Sequence, residues 1–282
     1  MPANVLIAME TLAKNKASLL PNYGEDYKIG INSIGARFEE YIKDLLTGKI
    51  ICSSNEERLQ NLNQNYYWLG SQNNPPDAIS KELEAYEIKK MESPKNALAL
   101  NSSPPKDMLY YDDPRITSKC KESIGKNWDP MDLFYVVGWV KKGEVKTIYF
   151  VQGKVYAASP AVYERIASIV SNGAMQAINN NNLKAGKTSE IARIIEVDPL
   201  RRTTFRVRGM WEILNPASAF PHIINIHEDL EKFKFSAYAI LEKNKYDSYR
   251  YIPKDVNIED SILADPNNPA NVINAKVLTV KW

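Results

Sequence analysis

The chain has 282 residues, of which 44% are hydrophobic and 25% charged, and its formal net charge at pH 7 is +2. This composition is typical of a globular protein with a substantial core, and it excludes a disordered chain or one that binds polyanions through bulk charge. A nucleic-acid-binding surface would have to be a local basic patch balanced by acids elsewhere.

The two cysteines are too few for a disulfide framework or a cysteine-rich zinc site. Glu10 and Lys14 interrupt the apolar run near the N-terminus, which predicts that it is no signal peptide. The longest apolar run, 133–140, is too short to span a bilayer. We therefore expect a soluble cytoplasmic protein with no membrane partner.

In the first half of the chain, hydrophobic spacing predicts helices followed by a strand with two distinct faces. Side chains alternate along a strand, so Ile88 is expected in the core while Glu87 and Lys89 share the opposite face. The predicted elements are helices over 3–20 and 33–46, a helix and loop over 53–76, a strand over 86–91, and an ordered loop system over 92–131 with one short strand at 97–100.

The second half predicts the hydrophobic centre of a sheet, with Lys142-Gly143 and Gly153 as turns between strands. A crossover helix after Ser159-Pro160 is expected to pack on that sheet. The predicted elements are strands over 132–141, 145–153 and 154–158, a helix over 160–178, strands over 192–198 and 203–214, a helix over 228–234 and a strand over 236–242.

These elements predict an α/β fold with a mixed central sheet flanked by helices, in a single domain spanning 1–282. Its expected parts are N-terminal helices over 1–50, a catalytic core over about 51–216 and a C-terminal elaboration over 217–282.

Asp77, Glu87 and Lys89 are the residues most suggestive of chemistry. Asp77 follows a pair of prolines, and Glu87 and Lys89 share one face of the next strand. Two carboxylates suit a hard divalent cation, and a lysine beside them can orient or help deprotonate a water, so the set predicts metal-assisted phosphodiester hydrolysis. The residues alone leave an alternative equally open, in which Asp77 is a turn residue and the other two are a solvated strand face.

Arginines are concentrated between 201 and 208, with four in eight residues and no acid among them. The alternation along 205–208 places Arg206 and Arg208 on one face, which a half-exposed sheet would also do for solvent alone. Their density favours a surface that contacts phosphates or bases, and Arg201 and Arg202 precede it in a turn.

Other catalytic constellations are absent from the sequence. His222 and His227, the only histidines, are five apart and do not form HExxH, and their number excludes an HNH nuclease. The stretch 185–188, AGKT, lacks the earlier glycine of a phosphate-binding loop, and no GxGxxG occurs. Among reaction types, catalysis by a carboxylate-bound metal ion is the one for which the sequence supplies suitable residues.

The Asp77, Glu87, Lys89 pattern resembles the PD-(D/E)xK nuclease superfamily, which includes most type II restriction endonucleases. Longer segments are similar to one family within it, the NgoPII type, which is associated with the palindrome GGCC. These segments span roughly residues 30–216, and the last sixty-odd residues add nothing to the resemblance. They are INSIGARFEEYIKDL (31–45), YEIKKMESP (86–94), ALALNSSPPKDML (97–109), WDPMDLFYVVG (128–138), FVQGKVYAA (150–158) and VDPLRRTTFRVRGMWEILNP (197–216).

The resemblance implies a bacterial or archaeal Mg²⁺-dependent endonuclease that cuts both strands of a short palindrome in double-stranded DNA. It implies a homodimer and a cognate DNA methyltransferase acting on the same site without needing to bind the enzyme. Asp77 and Glu87 would hold the metal with Glu39 or Glu40 from the helix ahead of the strand, Glu39 being our choice. Candidate DNA contacts are Asn101, Ser102, Lys106, Arg201, Arg202, Arg206 and Arg208.

Two alternatives remain at this point. A repair or junction-resolving nuclease could use the same fold and site while cutting by DNA structure. A non-catalytic DNA-binding module could retain the fold, although the intact Asp77, Glu87 and Lys89 argue against lost activity.

Overall fold

The structure is a computed structural model, and it describes residues 3–16, 20, 34–71, 74–125 and 127–282. The contacts between residues divide the chain into two compact units, each described by itself below. Unit 1 comprises Met1–Asn96, Asp107–Ala157 and Leu214–Trp282, and unit 2 comprises Ala97–Lys106 and Ala158–Ile213. The prediction of a single domain stays a prediction.

Unit 1 contains a mixed sheet of nine strands. They are β1 (Tyr66–Trp68), β2 (Ala78–Ser80), β3 (Glu84–Met91), β5 (Met108–Leu109), β6 (Met131–Lys141), β7 (Glu144–Gln152), β12 (Ser236–Glu242), β13 (Asn257–Asp265) and β14 (Asn268–Lys281). Their order is β1-β2-β3-β6-β7-β12-β14-β13, with β5 also paired to β6. β3 is parallel to β6 and β12 is parallel to β7, whereas the other pairs are antiparallel.

The helices of unit 1 are α1 (Val5–Asn15), α2 (Ile34–Leu46), α3 (Asn55–Asn65), α4 (Ser118–Ile124), α6 (Pro216–Ala219), α7 (Ile226–Lys232) and α8 (Lys243–Ser248). Asn4 begins α1 by accepting the amide of Ile7 at 3.0 Å, and Ser54 begins α3 by accepting that of Glu57 at 3.2 Å. The central mixed sheet flanked by helices confirms that part of the predicted fold class. α1 is shorter than the helix predicted over 3–20, and residues 17–19 of that prediction lie outside the described residues.

The core of unit 1 lies where α1 and α2 pack on one face of the sheet. Phe38 of α2 is fully buried in the same cluster as Tyr86 and Ile88 of β3. A Cβ on Gly138 of β6 would lie 2.1 Å from the Phe38 ring, so the helix approaches the strand more closely than any larger residue permits. Ile88 therefore points into the core, as alternation predicted.

The strand predicted over 154–158 is wrong. Residues Gly153–Val155 form a 3-10 turn, closed by the Tyr156 and Ala157 amides on the Gly153 carbonyl at 2.9 and 2.8 Å. The reason is tertiary, because β12 pairs in parallel with β7 and takes the edge that a third consecutive strand would have used.

The C-terminal residues form part of the central sheet. They supply β12, β13 and β14, and the hairpin of β13 and β14 was not predicted. α8 is joined to the sheet by Lys245, whose Nζ lies 2.8 Å from Glu84 Oε1 and 3.2 Å from Asp132 Oδ2. Glu84 is fully buried, so this ion pair ties the C-terminal region to β3 and β6.

Unit 2 contains a two-stranded and a three-stranded sheet beside one long helix. Its elements are β4 (Leu98–Asn101), paired with β11 (Trp211–Ile213), the sheet of β10 (Phe205–Val207), β9 (Ala192–Ile195) and β8 (Lys184–Ala185), and α5 (Pro160–Asn180). The prediction that apolar residues of α5 pack on the central sheet is wrong: Ile166 is 43% exposed and Ile169 is 60% exposed. No helix within the described ranges is long and apolar enough to cross a membrane.

Candidate active site

Asp77, Glu87 and Lys89 lie together on unit 1, where β2 pairs with β3. Ala78 is the partner of Tyr86 in this antiparallel pair, and the Asp77 amide donates to the Tyr86 carbonyl at 3.0 Å. Asp77 is thereby placed beside Glu87 across the two strands. The Ile88 amide donates to Asp77 Oδ2 at 2.6 Å, which fixes the carboxylate against β3.

Lys89 connects the two acids. Its Nζ lies 2.6 Å from Glu87 Oε1 and 3.7 Å from Asp77 Oδ2, and the side chains of these acids are only 19% and 18% exposed. Burial opposes the charge on Lys89, but the nearby Glu87 and Asp77 carboxylates outweigh it and raise the pKa of the ammonium. Lys89 is therefore a cation whenever both acids are ionised.

Asp77 has the opposite perturbation. Burial is the main cause that raises its pKa to about 7, and the charges of Glu87 and Glu39 add to it, while Lys89 and the Ile88 amide act to lower it. A carboxyl group that exchanges its proton near neutral pH, beside a second acid and a lysine, is typical of a functional site.

Glu39 and Glu40 of α2 form ion pairs with neighbouring cationic side chains of unit 1. Lys43 Nζ lies 2.7 Å from Glu39 Oε1 and 3.1 Å from Glu40 Oε1. Glu40 also pairs with Arg58 Nη2 at 2.8 Å. Glu39 acts on Asp77 through its charge, but no group of three or more metal-binding side chains converges in the part of the chain that the structure describes. A role for Glu39 as a metal ligand stays a prediction.

A short segment from the end of β1 to Gly70 lies behind Asp77, and no sequence pattern predicted this contact. The Trp68 indole donates to the Pro76 carbonyl at 3.1 Å, and the Leu69 carbonyl accepts Lys43 Nζ at 3.0 Å. Gly70 has φ +89°, and a Cβ there would lie 2.6 Å from the Asp77 carbonyl oxygen. Only glycine permits this approach.

The predicted DNA contacts all belong to unit 2. Asn101 has φ +54° and is exposed beside Ser102, at the end of β4. Lys106 is 8% exposed and donates to Ser103 Oγ at 3.1 Å, so its ammonium is less accessible than expected. Arg201 and Arg202 are exposed in the turn before β10.

Arg206 and Arg208 share one face, as the alternation predicted, and both bind the same acid. Arg206 Nε and Nη2 donate to Glu190 at 2.9 and 2.6 Å, and Arg208 Nε also donates to Glu190. Sequence reasoning missed Glu190 because it lies sixteen residues before Arg206. Lys187 and Arg193 line a groove together with Glu190 and Arg206, and they add positive charge to this surface.

The comparisons with known proteins agree on one family. The NgoPII restriction endonuclease family matches residues 3–266. The chain is also similar to the Type II restriction enzyme NgoPII of Neisseria gonorrhoeae, with 35% identity over 284 residues that cover 98% of this chain and 99% of the relative. The similarity is thus wider than the expected 30–216 and includes most of the C-terminal region.

No solved structure matches the chain significantly. The family match over nearly the whole chain and the extended similarity to a curated relative are independent of the site geometry described above. The chain belongs to the NgoPII restriction endonuclease family, a family of hydrolases that cleave DNA at specific sites.

Proposed function

We propose that this chain is a Mg²⁺-dependent type II restriction endonuclease with a PD-(D/E)xK core, cutting both strands of the palindrome GGCC in double-stranded DNA. Asp77 and Glu87 hold the metal, and Lys89 acts beside them on the attacked phosphate. The observation that carries the proposal is the convergence of Asp77, Glu87 and Lys89, with Lys89 Nζ within 3.7 Å of both carboxylates.

The donor set fits a hard divalent cation. Asp77 and Glu87 offer only oxygen ligands, and Lys89 already places one positive charge between them. Mg²⁺ is commonly bound by one or two carboxylates together with waters and substrate phosphate, so a third protein acid is not required. When bound, the ion would supply Lewis-acid polarisation of the phosphate and compensate its developing charge.

The chain's own residues have separable roles. The Ile88 amide holds the Asp77 carboxylate and Gly70 packs closely on the Asp77 backbone, while Glu87 orients Lys89 through a 2.6 Å contact. Lys89 Nζ lies within reach of both carboxylates, where it can orient or help deprotonate the attacking water and stabilise negative charge on the phosphate.

DNA is bound in the proposal by the basic residues of unit 2. Arg206 and Arg208 present guanidinium groups on one exposed face, and arginine pairs with both guanine O6 and N7 in the major groove. A two-fold symmetric site is most simply read by a two-fold symmetric dimer. The cognate methyltransferase would modify the same sequence and need not bind this chain.

The test is a plasmid digest with and without Mg²⁺, using wild type, Asp77→Ala and Glu87→Ala. Wild type should give discrete fragments ending at GGCC only with Mg²⁺. Both variants should lose cleavage yet bind a GGCC duplex as tightly as wild type, because the acids contact metal and not bases. Cutting by either variant at near the wild-type rate would show that the site is assigned wrongly.

The digest also separates the proposal from a nuclease that recognises DNA structure. Such an enzyme would cut a supercoiled plasmid or a four-way junction without producing discrete sequence-defined fragments. Fragments that end at a different palindrome would mean that the protein is a type II endonuclease that recognises that palindrome instead of GGCC.

A further inference from the structure

One face of α5 in unit 2 is apolar and exposed along the length of the helix. Val162, Ile166, Ile169 and Val170 are 39%, 43%, 60% and 48% exposed. Because successive helical residues turn by about 100°, these positions fall within one arc roughly 100° wide. We call this surface the α5 stripe, and its members are Val162, Ile166, Ile169, Val170, Gly173 and Ala177.

A different face attaches α5 to its own unit. Tyr163 packs edge-on against Trp211 with ring centroids 5.5 Å apart, and Ser171 Oγ donates to the Ile191 carbonyl at 2.9 Å. Ile178, on the same side, is 3% exposed. The α5 stripe is thus additional to the surface that the fold of unit 2 needs, and a contiguous exposed apolar patch of roughly a few hundred Å² is often functional.

We propose that a second copy of this chain binds the α5 stripe, with the two α5 helices antiparallel about a two-fold axis between Ile169 and Val170. Residues at equal distances on either side of that axis face each other. Ile166 then faces the partner's Gly173, Val162 faces the partner's Ala177, and Ile169 faces the partner's Val170.

This arrangement matches large residues with small ones. A Cβ added at Gly173 would meet nothing within 4 Å, so the space beside it is open to a side chain from outside the chain. Placing Ile166 into that space on both copies at once is the self-complementarity that a two-fold interface requires. The glycine and the alanine also allow the two helices to approach closely.

The charge distribution favours a protein partner over nucleic acid. None of the six stripe residues is charged, and the charged residues of α5, Glu164 and Arg165, lie outside the stripe. A phosphate backbone would need cations there, whereas an antiparallel copy meets no like charge. The interface depends on the proposed function only in the expectation that a palindrome is read by two copies.

The size of the stripe limits its strength. From Val162 to Ala177 the stripe is about 24 Å long and about 10 Å wide, so it covers roughly 240 Å² per copy. A standard interface covers about 800 Å² per partner. The stripe therefore sets the axis and register of the pair, and we expect association that depends on protein concentration.

Sedimentation velocity over a concentration series, on the full chain without DNA or metal, tests the proposal. Wild type should dimerise, and Ile166→Asp should weaken association at least 100-fold because it places two charges in the interface. Met175→Asp is the matched control, since Met175 is also apolar and 37% exposed but lies outside the stripe, and it should dimerise like wild type. Thermal unfolding followed by circular dichroism checks that each variant is folded.

A second pair of variants tests the register. Gly173→Ile should leave the single copy folded, because its space is open, yet weaken association by at least 10-fold through a clash with the partner's Ile166. Combining Gly173→Ile with Ile166→Ala restores one large residue against one small one and should recover most of the loss.

A monomeric wild type, or a Met175→Asp variant as defective as Ile166→Asp, would overturn the interface. Failure of the double variant to recover would overturn the register. Asp77→Ala should associate like wild type although it loses cleavage. The proposed interface and the proposed function can therefore be refuted independently of each other.

Discussion

Gly70→Ala tests whether the backbone behind Asp77 is needed for catalysis. The added Cβ would lie 2.6 Å from the Asp77 carbonyl oxygen, roughly 1 Å inside the separation of about 3.5 Å at which such atoms attract. Asp77 or the 68–70 segment must move by a comparable distance. A displacement of about 1 Å at a catalytic group costs on the order of 10²-fold in rate. The clash itself should cost about 1–3 kcal/mol of unfolding free energy.

Gly143→Ala is the matched control. Gly143 also has a positive φ, +78° against +89° for Gly70, but a Cβ there would meet nothing within 4 Å. Both variants carry the backbone cost of a left-handed alanine, about 1–2 kcal/mol, and only Gly70→Ala disturbs Asp77.

Single-turnover cleavage of a GGCC duplex in Mg²⁺, urea unfolding and DNA affinity in Ca²⁺ give the three readouts. We expect Gly70→Ala to cleave about 10²-fold more slowly than Gly143→Ala, to unfold more easily, and to bind DNA within a few-fold of it. Equal cleavage rates of the two variants would show that the Gly70 contact does not position Asp77.

Three further predictions concern charge. Lys89→Ala should abolish nearly all cleavage, whereas Lys90→Ala should leave it largely intact because Lys90 pairs instead with Glu92 at 2.6 Å. The reverse pattern in a digest would mean that the strand register is shifted by one residue. The pKa of Asp77 is raised from 3.8 to about 7, so between about pH 4 and 7 the folded state retains a proton that the unfolded state has lost. Without metal, the contribution of Asp77 to the free energy of unfolding therefore falls as pH rises through that window. Urea melts at pH 5 and 8 should show that loss for wild type and a smaller one for Asp77→Asn, and equal pH dependence would contradict the shift. Arg206→Ala should cost about 1–3 kcal/mol of affinity for a GGCC duplex and relax discrimination at one base, whereas equal affinities of variant and wild type for matched and substituted duplexes would exclude base reading.

Local sequence was sufficient for the face of β3 on which the site lies. Alternation alone placed Ile88 in the core and put Glu87 with Lys89 on the other side, because a strand leaves only two orientations for a side chain. The same rule paired Arg206 with Arg208. The turn at Lys142-Gly143 was also predicted locally, because glycine adopts the positive φ that Gly143 has there.

Contacts between distant residues decided what local patterns could not. Residues 154–158 have a strand-like sequence, yet β12 occupies the edge of β7 that they would need. The apolar spacing of α5 predicted a helix correctly, but periodicity does not say what a face packs on, and that face is exposed. In both cases the missing information was the identity of the neighbour.

For the candidate site, local sequence was enough to pick out the chemical groups, Asp77, Glu87 and Lys89, and to place Glu87 and Lys89 on one side of the sheet. Folding brings Gly70 against Asp77, Lys43 against Glu39, and Glu190 against both Arg206 and Arg208. The physical reason is that residue type fixes a side chain's chemistry and its strand fixes its direction. Its pKa and its partners depend on residues brought near by folding, whose positions no local pattern records.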